Sequence, residues 1–402
     1  MNRRKISLRT ISTRHLIAWI AVIIAVAVGG TAIALAATGN GPVPPPKPLA
    51  TAAHDALAAP VPEGVTARVS FTNHLISSSS IEGSDPILSG ATGRLWLAPG
   101  QVRLELQSDR GDAQLVAGGK SFWVYDPRSN TVYRGALPEE WSTQPWQKDQ
   151  KDIPSLDQVK SFISRLMEHT SVSGAAPTDV AGRPTYTVRV SPKRNAGLIG
   201  AGELAWDAAN GVPLRIGVYA KGASSPVLAL SVTHVSFGPV PSSNFDVSPP
   251  PDAKVVEVDT PGGQKQDKSS GEHAPVTGVD AVGKAVSFTL SAPDTLAGMQ
   301  RTEVRLVNTG KGNAALVTYG QGPGGIAVFE QASDPNHPIP SPQGEGDHHG
   351  GVDLPTVSID GVQAQELATP LGTGLRFERA GVAYVVVGSV APATAEAAAR
   401  GL

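Results

Sequence analysis

The chain has 402 residues, enough for two or three domains, and a formal net charge of −2 that gives no pull toward nucleic acid. It contains no cysteine, which removes disulfides, thiolate metal sites, thiol nucleophiles and a lipid-modified N-terminal cysteine. With 44 glycines and 34 prolines, turn-rich β structure and linkers are expected in place of helical bundles.

At the N-terminus, Arg3, Arg4, Lys5, Arg9 and Arg14 precede an uncharged apolar run over residues 16–37. At about 1.5 Å per residue this run covers a bilayer core of about 30 Å. Residues 1–37 therefore read as a cytoplasmic basic flank and a single membrane span, with the rest of the chain extracytoplasmic. Ala34-Leu35-Ala36 is a small-residue cleavage pattern, so a signal peptide is the alternative; the length of the run favours the uncleaved anchor.

A proline-rich stretch at 38–48 reads as a stiff spacer. An alanine-rich short helix is expected over 49–59, ended by Pro60 and Pro62, then a strand from Val65 to Phe71. From Gly93 to Leu137, period-two alternation between turns predicts an antiparallel meander with one apolar face. Its turns are Pro99-Gly100, Asp109 to Asp112, Gly118-Gly119 and Asp126 to Asn130. Residues 139–154, with Trp141 and Trp146, read as a long polar loop. Leu156, Val159, Phe162, Ile163 and Leu166 then recur at helical spacing behind Ser155 as N-cap, an amphipathic helix expected to cover the sheet. Strands follow at Ser171–Val180, Thr185–Val190, Gly202–Asp207, Leu214–Ala220 and Val227–Phe237. A flexible linker over 259–280 leads to a smaller domain over 281–402. Its strands are expected at Val286–Leu290, Arg301–Val307, Ala314–Tyr319, Ile326–Gln331, Thr356–Ile359, Gly374–Glu378 and Val382–Ser389, before an alanine-rich terminal helix. The fold class is mainly β, of the α+β kind, with the C-terminal domain a small α/β one.

Several residues carry a likeness to a known family. They are Gly93-Arg94-Leu95-Trp96-Leu97, the turn Pro99-Gly100, and Gly119-Lys120-Ser121-Phe122-Trp123-Val124-Tyr125-Asp126-Pro127. Trp206-Asp207 with Gly211 to Leu214, and Pro239-Val240-Pro241 with Phe245, support it in the same order. Over residues 49–258 the chain resembles the LolA lipoprotein carriers of the bacterial envelope and the RseB/MucB sensors that share their fold. The resemblance implies a curved, unclosed antiparallel half-barrel with a helical lid, holding acyl chains of lipids or lipoproteins or an apolar peptide, and no enzyme activity. It departs at Ala98, where the carriers have a basic residue that helps hold the lid closed. A tethered binder or a sensor is then implied in place of a free shuttle. Residues 281–402 resemble, more distantly, the domains appended to extracytoplasmic anti-sigma and sensor proteins, which implies a transmembrane anti-sigma factor as an alternative partner. A structural envelope protein with no guest stays open beside both.

The residues expected to line the apolar site are Leu95, Leu97, Val102, Leu104, Leu106, Phe122 and Val124 on the sheet, with Leu156, Phe162, Ile163 and Leu166 on the helix. One phase of the strand alternation is assumed. Trp96, Trp123, Tyr125 and Tyr133 fit a cavity, a core or an outer face equally. No catalytic, cofactor or metal residue is assigned. The G-x-G-x-x-G at Gly320–Gly325 precedes strand-like Ile326 to Phe329 and reads as a hairpin loop, where a nucleotide site needs a helix. Gly119-Lys120-Ser121 lacks the earlier glycine of a phosphate loop, and Arg110-Gly111-Asp112 falls where a hairpin turn is required. Asp347, His348, His349 and Asp353, with His337, match no metal-site spacing.

Overall fold

The computed structural model describes residues 41–76, 90–108, 111–137, 153–193, 197–258, 276–308, 312–333 and 354–402. Among them no helix is long and apolar enough to cross a membrane. The expected span at 16–37 lies outside the described residues, as do Trp141, Trp146, the linker at 259–275 and the His337 to Asp353 cluster. Two compact units emerge, the larger within Leu16–Arg194 and Gly200–Lys265, the smaller centred on Gln266–Leu402.

The larger unit is a curled sheet. Its elements are α1 (Leu49–Ala58), β1 (Val65–Asn73), β2 (Ala91–Ala98), β3 (Gln101–Gln107), β4 (Ala113–Gly118), β5 (Ser121–Asp126), β6 (Thr131–Ala136) and α2 (Leu156–His169). Then come β7 (Thr170–Val172), β8 (Ala176–Val180), β9 (Arg183–Pro192), β10 (Ile199–Asp207), β11 (Pro213–Ala220), β12 (Leu228–Phe237) and β13 (Lys254–Glu257). The order is β13-β6-β5-β4-β3-β2-β1-β12-β11-β10-β9-β7, with β8 also on β9. Two consecutive runs of hairpins are thus joined by one long-range pair, β1 with β12, which sets Val65 opposite Phe237 and Asn73 opposite Leu228. The expected strand Ser171–Val180 is two strands, because Ser173 to Ala175 break the run and both pieces pair with β9. The sheet also departs from the all-antiparallel expectation at one edge. There β13 runs parallel to β6, Lys254 beside Thr131 and Glu257 beside Arg134.

The turns explain the meander. Gly100 and Gly119 take positive φ of 69° and 61°, which glycine adopts without a Cβ clash. Between β5 and β6 the Asp126 carboxylate accepts the Arg128 N–H at 3.0 Å and the Ser129 hydroxyl at 2.7 Å. Asn130 completes that turn at φ 42°. β3 and β4 pair antiparallel out to Leu106 opposite Ala113, while Asp109 and Arg110 lie outside the described residues.

The smaller unit is an antiparallel sheet in the order β14-β15-β16-β17-β21-β20-β19-β18. Its strands are β14 (Thr295–Leu296), β15 (Met299–Asn308), β16 (Asn313–Tyr319), β17 (Ile326–Ala332), β18 (Thr356–Ile359), β19 (Val362–Thr369), β20 (Gly372–Arg379) and β21 (Val382–Gly388). The helices α3 (Val279–Ala285) and α4 (Pro392–Arg400) lay Val282, Ala395, Ala398 and Ala399 on one face, over Val317, Val328, Leu375 and Phe377. Being antiparallel and mostly strand, it is α+β and not the expected α/β arrangement. Val286–Leu290 is not a strand. It follows α3 directly, and Phe288 and Leu290 pack irregularly on the core. β16 and β17 form a hairpin across Gly320–Gly325, as their pattern requires.

Candidate functional site

Pairing registers convert the alternation of the meander into cross-strand rows. One row runs Ala67, Leu95, Leu104, Leu115, Val124, Tyr133 and Val256 across β1, β2, β3, β4, β5, β6 and β13. It lies in the centre of the larger unit's apolar cluster, where Leu104, Val124 and Tyr133 are buried. Val180, Ala205 and Leu214, from strands at the far end of the order, belong to the same cluster. A sheet curled around that face produces this sharing.

The next row is different. It runs Val65, Leu97, Val102, Ala117 and Phe122. Val65 is buried, but Leu97, Val102, Ala117 and Phe122 are only half-buried. An apolar strip thus continues from the mostly buried row, where Leu95 and Leu115 are half-buried, to a more open margin. The strip follows the strand ends at the Pro99-Gly100 and Gly118-Gly119 turns.

The seven sheet residues expected at the site therefore share one face. Leu104, Leu106 and Val124 are buried in the cluster; Leu95, Leu97 and Phe122 pack against it half-buried; Val102 lies between Leu97 and Ala117 in register. Sequence reasoning missed Leu115 and Ala117, which only the register aligns with them. Phe122 and Tyr133 belong to this face. Trp96 and Trp123 belong to the other, in the row Trp96, Arg103, Val116, Trp123, Arg134 and Glu257. There the Arg103 guanidinium sits 4.9 Å from the Trp96 ring and 2.8 Å from Glu105, and Arg134 pairs with Glu257 at 2.6 Å.

The helix residues are not brought to that strip. α2 is capped as expected, with Ser155 Oγ accepting the Gln158 N–H at 3.3 Å and Gln158 Oε1 accepting the Ser155 N–H at 2.7 Å. It packs on α1 and on β7. Val159, in the middle of its apolar stripe, is buried; Leu156, Ile163 and Leu166 are half-buried. Phe162 and Met167, at its margins, are 46 % and 43 % exposed. α1 in turn lays Leu49, Ala52 and Ala56 on Tyr186, Val188 and Trp206 of β9 and β10.

The proline-rich spacer is held down over its described part. Pro44 is buried, and the Tyr186 hydroxyl donates to the Pro45 carbonyl at 2.6 Å. Gly41 lies so close to the Asp179 carboxyl that a Cβ there would clash. Nothing in the composition of residues 41–48 announces this. The signal is a tyrosine on a distant strand.

Buried polar groups lie in both units. Glu203, with its side chain fully shielded, accepts from the Tyr219 hydroxyl and pairs with Arg215 at 3.1 Å. Burial and the Glu203 hydrogen bond push the Tyr219 phenol up to about 12, and the Arg189 guanidinium stacks 4.2 Å from its ring. In the smaller unit Glu330 continues the inward series Ile326 and Val328 on β17. One oxygen accepts the Ser291 N–H at 2.9 Å; the other has no hydrogen-bond partner among the described residues. Burial pushes its carboxyl up to about 7. Tyr319, raised to about 12 by burial, lies in the same core. Among the described residues no group of three or more acidic or histidine side chains has the geometry to hold a metal ion.

No family model matches the chain, and no curated protein matches it. Solved structures do. The chain is similar to one in the Pseudomonas aeruginosa MucA/MucB complex, at 15 % identity over 87 % of this chain and 96 % of that one, with a TM-score of 0.41. It is similar to a LolA superfamily protein from Nitrosomonas europaea at 10 % identity, over 50 % of this chain and 98 % of that one, TM-score 0.21. A putative outer membrane lipoprotein-sorting protein domain from Vibrio parahaemolyticus matches at 12 % identity, over 46 % and 89 %, TM-score 0.16. Both groups named by the sequence resemblance are represented among these matches.

Proposed function

We propose that this chain is a membrane-anchored extracytoplasmic binding protein that takes acyl chains of lipids or lipoproteins on the apolar face of its curled sheet. The observation that carries this reading is the row Leu97, Val102, Ala117 and Phe122, none of them fully buried, beside a row in which Leu104, Val124 and Tyr133 are. An acyl chain laid along it would remove the remaining apolar surface from water, at roughly 25 cal/mol per Å². The reading is one of binding, with no reaction assigned. The basic flank and apolar run at 16–37 support an anchor in the cytoplasmic membrane with the two units outside the cytoplasm.

Native mass spectrometry of residues 41–402, purified without detergent from an extracytoplasmic expression, tests it. A lipid adduct is expected at one per chain, lost in Val102→Asp and Phe122→Asp variants that keep the wild-type circular dichroism. An empty protein that also fails to bind a fluorescent fatty acid defeats the reading. The second unit, with its own core, favours one alternative: a sensor binding the outer segment of a transmembrane anti-sigma factor. Co-purification of such a factor with an empty protein would move the assignment there.

A further inference from the structure

Residues 41–48 do not act as a free spacer. Tyr186 holds the Pro45 carbonyl, Pro44 is buried, and Gly41 rests on Asp179 beside the β8–β9 turn. From Ala37, the end of the apolar run, to Gly41 are four Cα–Cα steps, a reach of about 14 Å at most. The larger unit is therefore leashed short at the end that carries this strap.

That end is also where its apolar side chains are left exposed. Among the described residues of the unit the large apolar side chains left exposed are Val43, Leu57, Val61, Phe162, Met167 and Val255. The first five belong to the strap, to α1 and the segment after it, and to α2; Val255 lies on β13, at the opposite end of the strand order. α1 continues directly from the strap and α2 packs on α1, so these elements form one layer.

We infer that the layer of strap, α1 and α2 rests on the lipid surface of the membrane that holds residues 16–37, with Val43, Leu57 and Phe162 among its contacts. The inference rests on the membrane-anchored reading above. A bilayer is the occupant favoured here, since the residues before Gly41, the first described one, contain a bilayer-length apolar run. An apolar face at such an interface sits roughly 5–10 Å into the headgroup and acyl boundary. The consequence is orientation: the strap, α1 and α2 are held against the lipid, and Val255, outside that layer, is not among its contacts.

The absence of cysteine makes the test clean. The full chain is reconstituted into phosphatidylglycerol–phosphatidylethanolamine vesicles as single-cysteine variants V43C, L57C, F162C and V255C, each carrying an environment-sensitive fluorophore. Shallow spin-labelled lipids are expected to quench the labels at 43, 57 and 162 and to leave the label at 255 unquenched. Equal quenching at all four positions, or none at 43, 57 and 162 in a chain that resists alkaline extraction, overturns the inference and leaves the anchor intact. Release of the chain by alkaline carbonate overturns the anchor reading, and this inference with it. Shielding of the label at 162 that depends on chain density and not on spin-labelled lipid shows a second copy on α2, which also overturns it.

Discussion

Glu330 is a carboxyl placed where an apolar residue would serve the core, and its cost depends on pH. The folded state holds its proton up to about 7, whereas an unfolded chain releases it near 4.5. Between those values the native state binds the extra proton, so stability falls as pH rises, by on the order of 3 kcal/mol in all. Below about 4.5 the stabilised state is complete; above about 7 the loss is complete. Glu330→Gln keeps an acceptor for the Ser291 N–H and removes the titration. Its melting temperature is expected to exceed the wild type's at pH 8 and to match it near pH 4.5. Equal melting temperatures at both values would contradict a buried, raised Glu330. A second residue-scale contrast concerns Glu203. Glu203→Ala leaves Arg215 and the Tyr219 hydroxyl without their shielded partner and is expected to cost about 3–5 kcal/mol in denaturant unfolding. Glu257→Ala breaks an ion pair of better length, 2.6 Å, yet both partners are more than half exposed, and a cost under about 1 kcal/mol is expected. Both carboxylates read alike as letters in the sequence. The alternation on β17 put position 330 inward, but nothing local told that Glu203 would meet Arg215 and Tyr219.

At the scale of elements, α2 and the strap show two kinds of legibility. The helix itself was readable: Ser155 was expected as its N-cap and the apolar spacing marked its extent, and the structure adds Gln158, which completes a capping box with Ser155. Ser155→Ala is expected to lower stability by about 1 kcal/mol, read as faster amide exchange in the first turn, with its apolar packing untouched. Where the helix docks was not readable, because an apolar stripe states that something is covered and not what. The structure answers with α1 and β7, and leaves Phe162 and Met167 outside the contact. The strap shows the converse. Its proline content predicted stiffness; its attachment comes from the Tyr186 hydroxyl, from buried Pro44, from Gly41 against Asp179 and from the Lys47–Asp55 ion pair. Tyr186→Phe is expected to cost about 1 kcal/mol and to open residues 41–48 to proteolysis, with the sheet unchanged. Protection equal to wild type would show that the remaining contacts, buried Pro44, Gly41 on Asp179 and the Lys47–Asp55 pair, hold the strap without the Tyr186 hydroxyl.

For the larger unit as a whole, the joining of β1 to β12 dominates. Every other antiparallel pair along the path except β7 with β9 links sequence neighbours, whereas Val65 meets Phe237 and Asn73 meets Leu228 across most of the unit. Closing such a pair costs loop entropy before any contact is gained. Refolding monitored by tryptophan fluorescence is expected in the slow regime of non-local β topologies, roughly milliseconds to seconds or longer. A single microsecond phase would show that β1 and β12 are not part of the cooperative unit. The smaller unit, whose strands from β14 to β17 follow in order, is less burdened.

The sequence by itself determined the strands of the meander, its turns, the α2 helix and the one-sided apolar pattern, because period, capping and turn chemistry are local quantities. It also supplied the basic flank and apolar run on which the membrane reading rests. Strand order, the parallel β13 edge and the irregular course of Val286–Leu290 were decided only by tertiary structure, since pairing partners are chosen by what else needs covering. The same holds for the site. Alternation named Leu97, Val102 and Phe122 singly, but only the register set them in one row with Ala117, and only the tertiary packing left every side chain from Leu97 to Phe122 in that row short of full burial.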